Sequence, residues 1–219
     1  MIRLAVFDCD GTLVDGQADV CEAMDAAFAA QGLAAPDRHL TRRMVGLSLP
    51  EAMRKLLPLG EPAVHEALAA HYRDAYRARR TAGVLDEPLF EGIAALLERL
   101  NAAGWLLGVA TGKSDRGLAH CLATHGIAGH FVTLQTADRH PSKPHPAMLQ
   151  AAMDAVGANA AETAMIGDTA YDIAMARAAG VRAIGVAWGY HPPAELTAAG
   201  AVAVAEDSAM LFDLLEAQA

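Results

Sequence analysis

The chain has 219 residues, 53% of them hydrophobic and only 5% aromatic; at roughly 100–200 residues per domain, that holds one large domain or a medium one with a small companion. The composition leans on Ala and Leu, both strong helix formers. A formal net charge of −9 argues against a nucleic-acid partner, whose binding depends on Lys and Arg neutralising backbone phosphates, but a small phosphate ester needs only one local cationic site.

In chain order, Leu4 to Phe7 is a short apolar run that ends in carboxylates, the pattern of a strand buried on both faces. Leu106 to Ala110, Ala164 to Ile166 and Arg182 to Val186 repeat it, with Val132 to Gln135 a weaker candidate. Helical spacing lies between them. Ile93, Leu96, Leu97 and Leu100 run to a stop at Gly104. Leu118 and Leu122 follow Ser114. Met148, Met153 and Val156 run to Gly157, and Ile173, Ala176 and Ala179 run to Gly180. Strands alternating with helices predict a doubly wound α/β sheet. From about Gly16 to Pro88 no strand pattern occurs. Val20, Met24, Ala27 and Phe28 form one amphipathic stripe, ended by Gly32, and Val64, Leu68, Tyr72, Ala75 and Tyr76 form another. This stretch is expected to be a helical insert after the first strand, with Gly16 and the segment from Gly83 to Pro88 as hinges.

Four signals carry chemistry, and each has a plain alternative. Asp8-Cys9-Asp10-Gly11-Thr12-Leu13-Val14-Asp15 puts carboxylates at the carboxyl end of the first strand, where open α/β sheets bind ligands; such groups repel unless a cation joins them, and hard oxygen donors suit Mg²⁺. The alternatives are an acidic solvated turn or a calcium loop, and the further ligands of an EF-hand are absent. Thr111-Gly112-Lys113-Ser114 offers a hydroxyl and backbone N–H groups to phosphate oxygens, or is an ordinary helix cap by Thr111 or Ser114. Pro141-Ser142-Lys143-Pro144-His145-Pro146 holds a lysine in a stiff loop, where it neutralises an anion or simply points to water. Gly167-Asp168-Thr169-Ala170-Tyr171-Asp172 sets Asp168 at a strand end and Asp172 one turn later on the same helix face, as metal ligands or as acids at a helix N-terminus. What separates the two readings is that every signal falls at a predicted strand's carboxyl end.

Among the remaining residues, Cys9 reads as a small packing residue, because neighbouring anions disfavour its thiolate. His140, His145 and His191 read as surface or packing residues. Lys113 reads as a solvated residue at a helix start, with an anion guide as the other option. Arg42 and Arg43, before Gly46, either reach the substrate's leaving group or form a basic patch. Three widely spaced cysteines, Cys9, Cys21 and Cys121, suggest neither a disulfide framework nor a zinc site and point to a reducing compartment. The apolar start is too short for a signal-peptide core, and no run of about 18 apolar residues exists to span a membrane, so a cytoplasmic location is expected.

The ordered set of DxDGTxxD from Asp8 to Asp15, a strand-end Thr111, Lys143 before Pro144, and GDxxxD from Gly167 to Asp172 resembles the haloacid dehalogenase-like superfamily over the whole chain. The helical insert, the stretch from Arg42 to Leu49 and the Thr111-Gly112-Lys113-Ser114 variant resemble its phosphoglycolate-phosphatase-like branch. Gly16 stands where that family often has Ser, and Leu89-Phe90-Glu91-Gly92 departs from a more usual Pro-Gly pair. The resemblance implies a catalytic core at 1–15 and 89–219 and a helical cap at 16–88. It implies a Mg²⁺-dependent phosphatase acting on a small phosphorylated metabolite, with 2-phosphoglycolate the first named substrate. Asp8 would be the nucleophile and Asp10 the general acid and base. Asp8, the Asp10 backbone carbonyl and Asp168 would hold the metal with support from Asp172, and Thr111, Gly112 and Lys143 would bind the phosphoryl oxygens. A sugar phosphomutase would use the same motifs, whereas a dehalogenase would not need Asp10. A phosphonate-cleaving relative would need a Schiff-base lysine in the cap, where Lys55 is the only lysine. A non-catalytic phosphate- or metal-binding module would be expected to have lost a motif residue.

Overall fold

The computed structural model describes residues 2–217. Six strands form one parallel sheet: β1 (Leu4–Phe7), β2 (Leu106–Thr111), β3 (Phe131–Thr136), β4 (Thr163–Gly167), β5 (Arg182–Val186) and β6 (Ala203–Ala205). Their order is β3-β2-β1-β4-β5-β6. The chain builds outward from β1 on one side and returns to its other side with β4. The β1–β4 boundary is therefore the switch point of the sheet, where a crevice opens at the carboxyl ends of the strands.

Helices cover both faces, as parallel sheets require. Alternate β1 residues serve opposite layers. Ala5 and Phe7 pack with Leu96 and Leu97 of α5 (Ile93–Ala102), Leu118 and Leu122 of α6 (Asp115–Thr124), and Leu211 of the last helix (Ser208–Glu216). Leu4 and Val6 pack with Met148 and Leu149 of α7 (Ala147–Val156), Ile173 of α8 (Ala170–Ala178), and Leu196 of α9 (Pro193–Ala199). All four β1 side chains are fully buried, at about 1.5–3 kcal/mol for each large one.

Between β1 and α5 lie α1 (Gln17–Ala30), α2 (Arg38–Arg43), α3 (Leu49–Leu56) and α4 (Pro62–Thr81). They have an apolar cluster of their own, in which Met24, Ala27 and Phe28 meet Met53 and Leu68. The chain enters and leaves this helical group along paired segments: Asp15 N donates to Pro88 O (2.8 Å) and Phe90 N to Leu13 O (3.0 Å).

The structure has more at its edges than the sequence patterns indicate. β3 is an edge strand and leaves Val132 55% exposed, which is why its apolar signal is diluted. β6, only three residues long, forms the opposite edge, and α9 and the last helix (α10) pack beside it. These three elements lie beyond those that the strand and helix patterns above indicate. No helix among the described residues is long and apolar enough to cross a membrane.

Candidate active site

The site starts from the backbone of β1. Asp8 N still donates to Ile166 O of β4 (2.9 Å), so Asp8 is held by the sheet. The chain then turns sharply, with Leu13 N donating to Cys9 O (2.8 Å) and Gly11 at φ 83°. A Cβ on Gly11 would lie 2.2 Å from Asp168 Oδ2. Only glycine permits both that left-handed backbone and that close approach.

Asp168 follows β4 directly. Thr12 Oγ1 donates to its Oδ1 (3.0 Å) and Tyr190 N to its Oδ2 (2.9 Å). It precedes α8 rather than lying on it. Thr169 is the N-cap and Asp172 the third helical residue, and the two bond reciprocally: Thr169 N and Oγ1 both donate to Asp172 Oδ2, at 3.1 and 2.7 Å. The expectation of one shared helix face is corrected accordingly: the two acids converge from a strand end and a helix first turn.

Lys143 joins this group from the proline-rich loop. Its Nζ lies 2.8 Å from Asp8 Oδ1 and 2.6 Å from Asp172 Oδ1, with all three side chains fully buried. Asp8, Asp168 and Asp172 each offer an oxygen within 4.8 Å of the others. Three buried carboxylates thus converge, and the one ammonium beside them contacts two, Asp8 and Asp172. Burial raises the Asp8 carboxyl to about 7, with Asp172 adding to the effect and Lys143 opposing it. Burial also pushes Asp168 well up, reinforced by Asp172 and Asp8. Asp8 Oδ2 is buried with no hydrogen-bond partner among the described residues. An all-oxygen donor set with surplus negative charge and a buried oxygen lacking a partner fits a hard divalent cation.

Asp10 stands apart from the cluster. Its carboxylate is raised by burial and faces Lys113, whose Nζ is 2.9 Å from Asp10 Oδ1 and 2.6 Å from Glu87 Oε1. This corrects the expectation of a solvated Lys113, whose side chain is only 9% exposed. Glu87 was not anticipated from sequence. Its position in a proline-flanked connection marked a hinge, and nothing local showed that the acid turns inward.

Thr111 ends β2 and is buried, and its Oγ1 accepts from Lys113 N (3.2 Å). The cap of α6 is Ser114, which accepts from Gly117 N (3.1 Å). A Cβ on Gly112 would lie 2.4 Å from Leu47 O, so the loop between α2 and α3 rests on bare backbone there. Gly46, at φ 93°, is in that loop, and a Cβ on it would lie 3.5 Å from Asp8 Oδ2. Gly46 therefore sits over the site, but the neighbouring arginines do not. Arg42 is exposed, and Arg43 makes a two-pronged ion pair with Glu195 of α9 (3.0 and 2.7 Å). The cavity beside Asp10, about 310 Å³, is lined instead by Arg73, Arg77 and Arg80 of α4, along with Tyr72, Tyr76 and Lys113.

Cys9 is packed with its Sγ 3.8 Å from that of Cys121, and its thiol is pushed well up, chiefly by that contact and by burial. His191 is buried, with Nε2 3.2 Å from Arg43 O, and His145 is exposed.

An open parallel sheet with acids from two strand ends, a buried lysine and a helical group over the crevice defines a class of enzyme, and sequence comparison agrees. Residues 5–186 match the haloacid dehalogenase-like hydrolase family. The chain belongs to that family and, within it, groups with phosphatases. It is 38% identical over 203 residues to Probable phosphatase IndB of Dickeya dadantii, covering 91% of this chain and 87% of that one. It is 34% identical over 194 residues to a phosphoglycolate phosphatase of Yersinia pseudotuberculosis, covering 87% and 83%. The crystal structure of a predicted phosphatase from Clostridium acetobutylicum shares the fold at a TM-score of 0.90 and 24% identity, covering 99% of each chain.

Proposed function

We propose that this protein is a Mg²⁺-dependent phosphatase that hydrolyses a small phosphate monoester through an aspartyl-phosphate on Asp8. The observation that carries the reading is the Asp8 carboxylate: one oxygen is held by Lys143 and the other is buried without a hydrogen-bond partner among the described residues, at the switch point of the sheet.

Phosphoryl transfer needs in-line attack and neutralised equatorial oxygens. An Asp8 oxygen forms a bond to phosphorus as the ester P–O bond breaks. Asp10 gives its proton to the departing oxygen. In the second half Asp10 takes a proton from water, the water oxygen attacks phosphorus, and orthophosphate leaves Asp8 free. The Thr111 hydroxyl, the Gly112 N–H and the Lys143 ammonium bind the phosphoryl oxygens. Asp8, Asp168 and the Asp10 backbone carbonyl, with Asp172 in support, would hold Mg²⁺, which supplies neutralising charge when bound. The helical insert at 16–88 acts as a cap that excludes competing water. The relatives named phosphoglycolate phosphatase make 2-phosphoglycolate the first substrate to assay.

The test is a panel of phosphate monoesters assayed with Mg²⁺, reporting kcat/KM for each. Phosphate release from at least one small ester, abolished by EDTA and restored by Mg²⁺, is expected. No release from any of them overturns the reading.

A further inference from the structure

Both connections between the sheet and the helical group pass the Asp10 carboxylate. A Cβ added at Gly16, on the way out, would lie 3.3 Å from Asp10 Oδ1 and 3.1 Å from Glu87 Oε1. Glu87 lies on the way back, and its Oε1 takes the Lys113 ammonium at 2.6 Å and the Tyr76 hydroxyl at 2.6 Å. His125 Nε2 lies 2.8 Å from the Glu87 carbonyl oxygen, tying that segment to the end of α6. Lys113 is the one cation within ion-pair distance of Asp10 among the described residues, and it reaches Asp10 from a backbone fixed at the end of β2.

We infer that Lys113 is a positioning residue for Asp10, and that Glu87 holds Lys113 in place from the segment joining α4 to α5. Lys143 and the three clustered acids belong to phosphoryl transfer itself, whereas among the described residues the Lys113 ammonium pairs with Asp10 and Glu87. That ammonium lies 2.9 Å from Asp10 Oδ1 as an ion pair while donating to Glu87 Oε1, and so leaves the Asp10 carboxylate, which lines the cavity, without a hydrogen bond to Oδ1 among the described residues. A lysine that met only solvent would set no orientation; one held between two buried carboxylates does, because either carboxylate left alone would be an unpaired buried charge. The helical group contributes through Glu87 and Tyr76, so Asp10 is correctly oriented only while that group sits as it does here.

The inference rests on the proposed phosphatase reaction, and the assay separates the two. Full-length enzyme with Mg²⁺ is assayed on p-nitrophenyl phosphate, whose leaving group departs without a proton, and on an alkyl phosphate, whose leaving group needs one. The quantity compared is kcat/KM, which covers the steps through formation of the aspartyl-phosphate. Lys113→Met should lower kcat/KM for the alkyl ester by roughly 10²-fold, the lower range of an acid–base contribution, and for p-nitrophenyl phosphate by much less. Lys113→Arg, which keeps the charge, should recover part of the alkyl-ester loss. Glu87→Gln keeps the shape of the site and a partner for Tyr76. It should show the same bias to a lesser degree, and it stands in if Lys113→Met does not fold. An equal loss on both esters, or no loss on either, overturns the inference. A wild-type enzyme inactive on both would instead count against the phosphatase reading.

Discussion

The Lys143 ammonium lies 2.8 Å from Asp8 Oδ1, and neither side chain is exposed to solvent at all. Lys143 is also the only cation in contact with Asp172 among the described residues, at 2.6 Å. Removing one partner of a buried pair costs about 3–5 kcal/mol, because the other charge is left alone. Lys143→Met should lose stability of that order in urea titrations run with EDTA, and should lose activity as well. A loss below about 1 kcal/mol would mean that water or rearrangement replaces the lysine.

Asp8→Asn keeps the size of the side chain and removes the nucleophilic carboxylate. Turnover should vanish while circular dichroism stays that of the wild type. Asp10→Ala should slow turnover by roughly 10²–10⁴-fold on an alkyl phosphate, the range for a lost acid–base group. Steady-state phosphate release measures both. Substantial activity in Asp8→Asn would remove the covalent mechanism, and an unchanged rate in Asp10→Ala would reassign the proton transfer.

Divalent metal should be visible without any substrate. An ion that binds only the folded chain adds about 2.7 kcal/mol at a hundredfold excess over Kd. At roughly 2–4 °C per kcal/mol for a chain of this size, Mg²⁺ should raise Tm by roughly 5–11 °C. Asp168→Asn should abolish most of that shift, since Asp168 is one of three acids whose oxygens converge within 4.8 Å. Differential scanning fluorimetry with and without Mg²⁺ decides. Equal shifts in both proteins would put the ion elsewhere.

Gly112→Ala should open the site without unfolding it. The new methyl would lie 2.4 Å from the Leu47 carbonyl oxygen, which belongs to backbone and cannot swing aside. The loop carrying Gly46 would have to lift, and a misplacement of about 1 Å can cost roughly 10²-fold in kcat/KM. An unaltered kcat/KM would show that this loop contact is not needed for turnover.

Arg43→Ala should leave KM unchanged across the substrate panel, because both prongs of the guanidinium are taken by Glu195. A severalfold rise in KM for esters with an anionic leaving group would return Arg43 to the substrate. Of the arginines that line the cavity, Arg73, Arg77 and Arg80 of α4 are the ones whose replacement by Ala should produce that rise.

Much of this protein is legible in the order of its residues. Leu4 to Phe7 is apolar throughout because both faces of β1 are covered, and three of the four motifs announce themselves because each follows such a buried strand, whereas the Lys143 loop follows the edge strand β3. Gly11 is equally local, since a turn straight out of a strand demands it. What the tertiary structure alone decided is which charges meet. Lys113 and Glu87 are distant in sequence and unremarkable in their own segments, yet they share a buried ion pair with Asp10 because the helical group returns to the sheet beside β2. Arg43 points to Glu195 rather than to the crevice for the same kind of reason. Backbone periodicity is set by neighbours a few residues away, whereas the partner of a charge is set by whichever chain segment folding carries within a few ångströms of it.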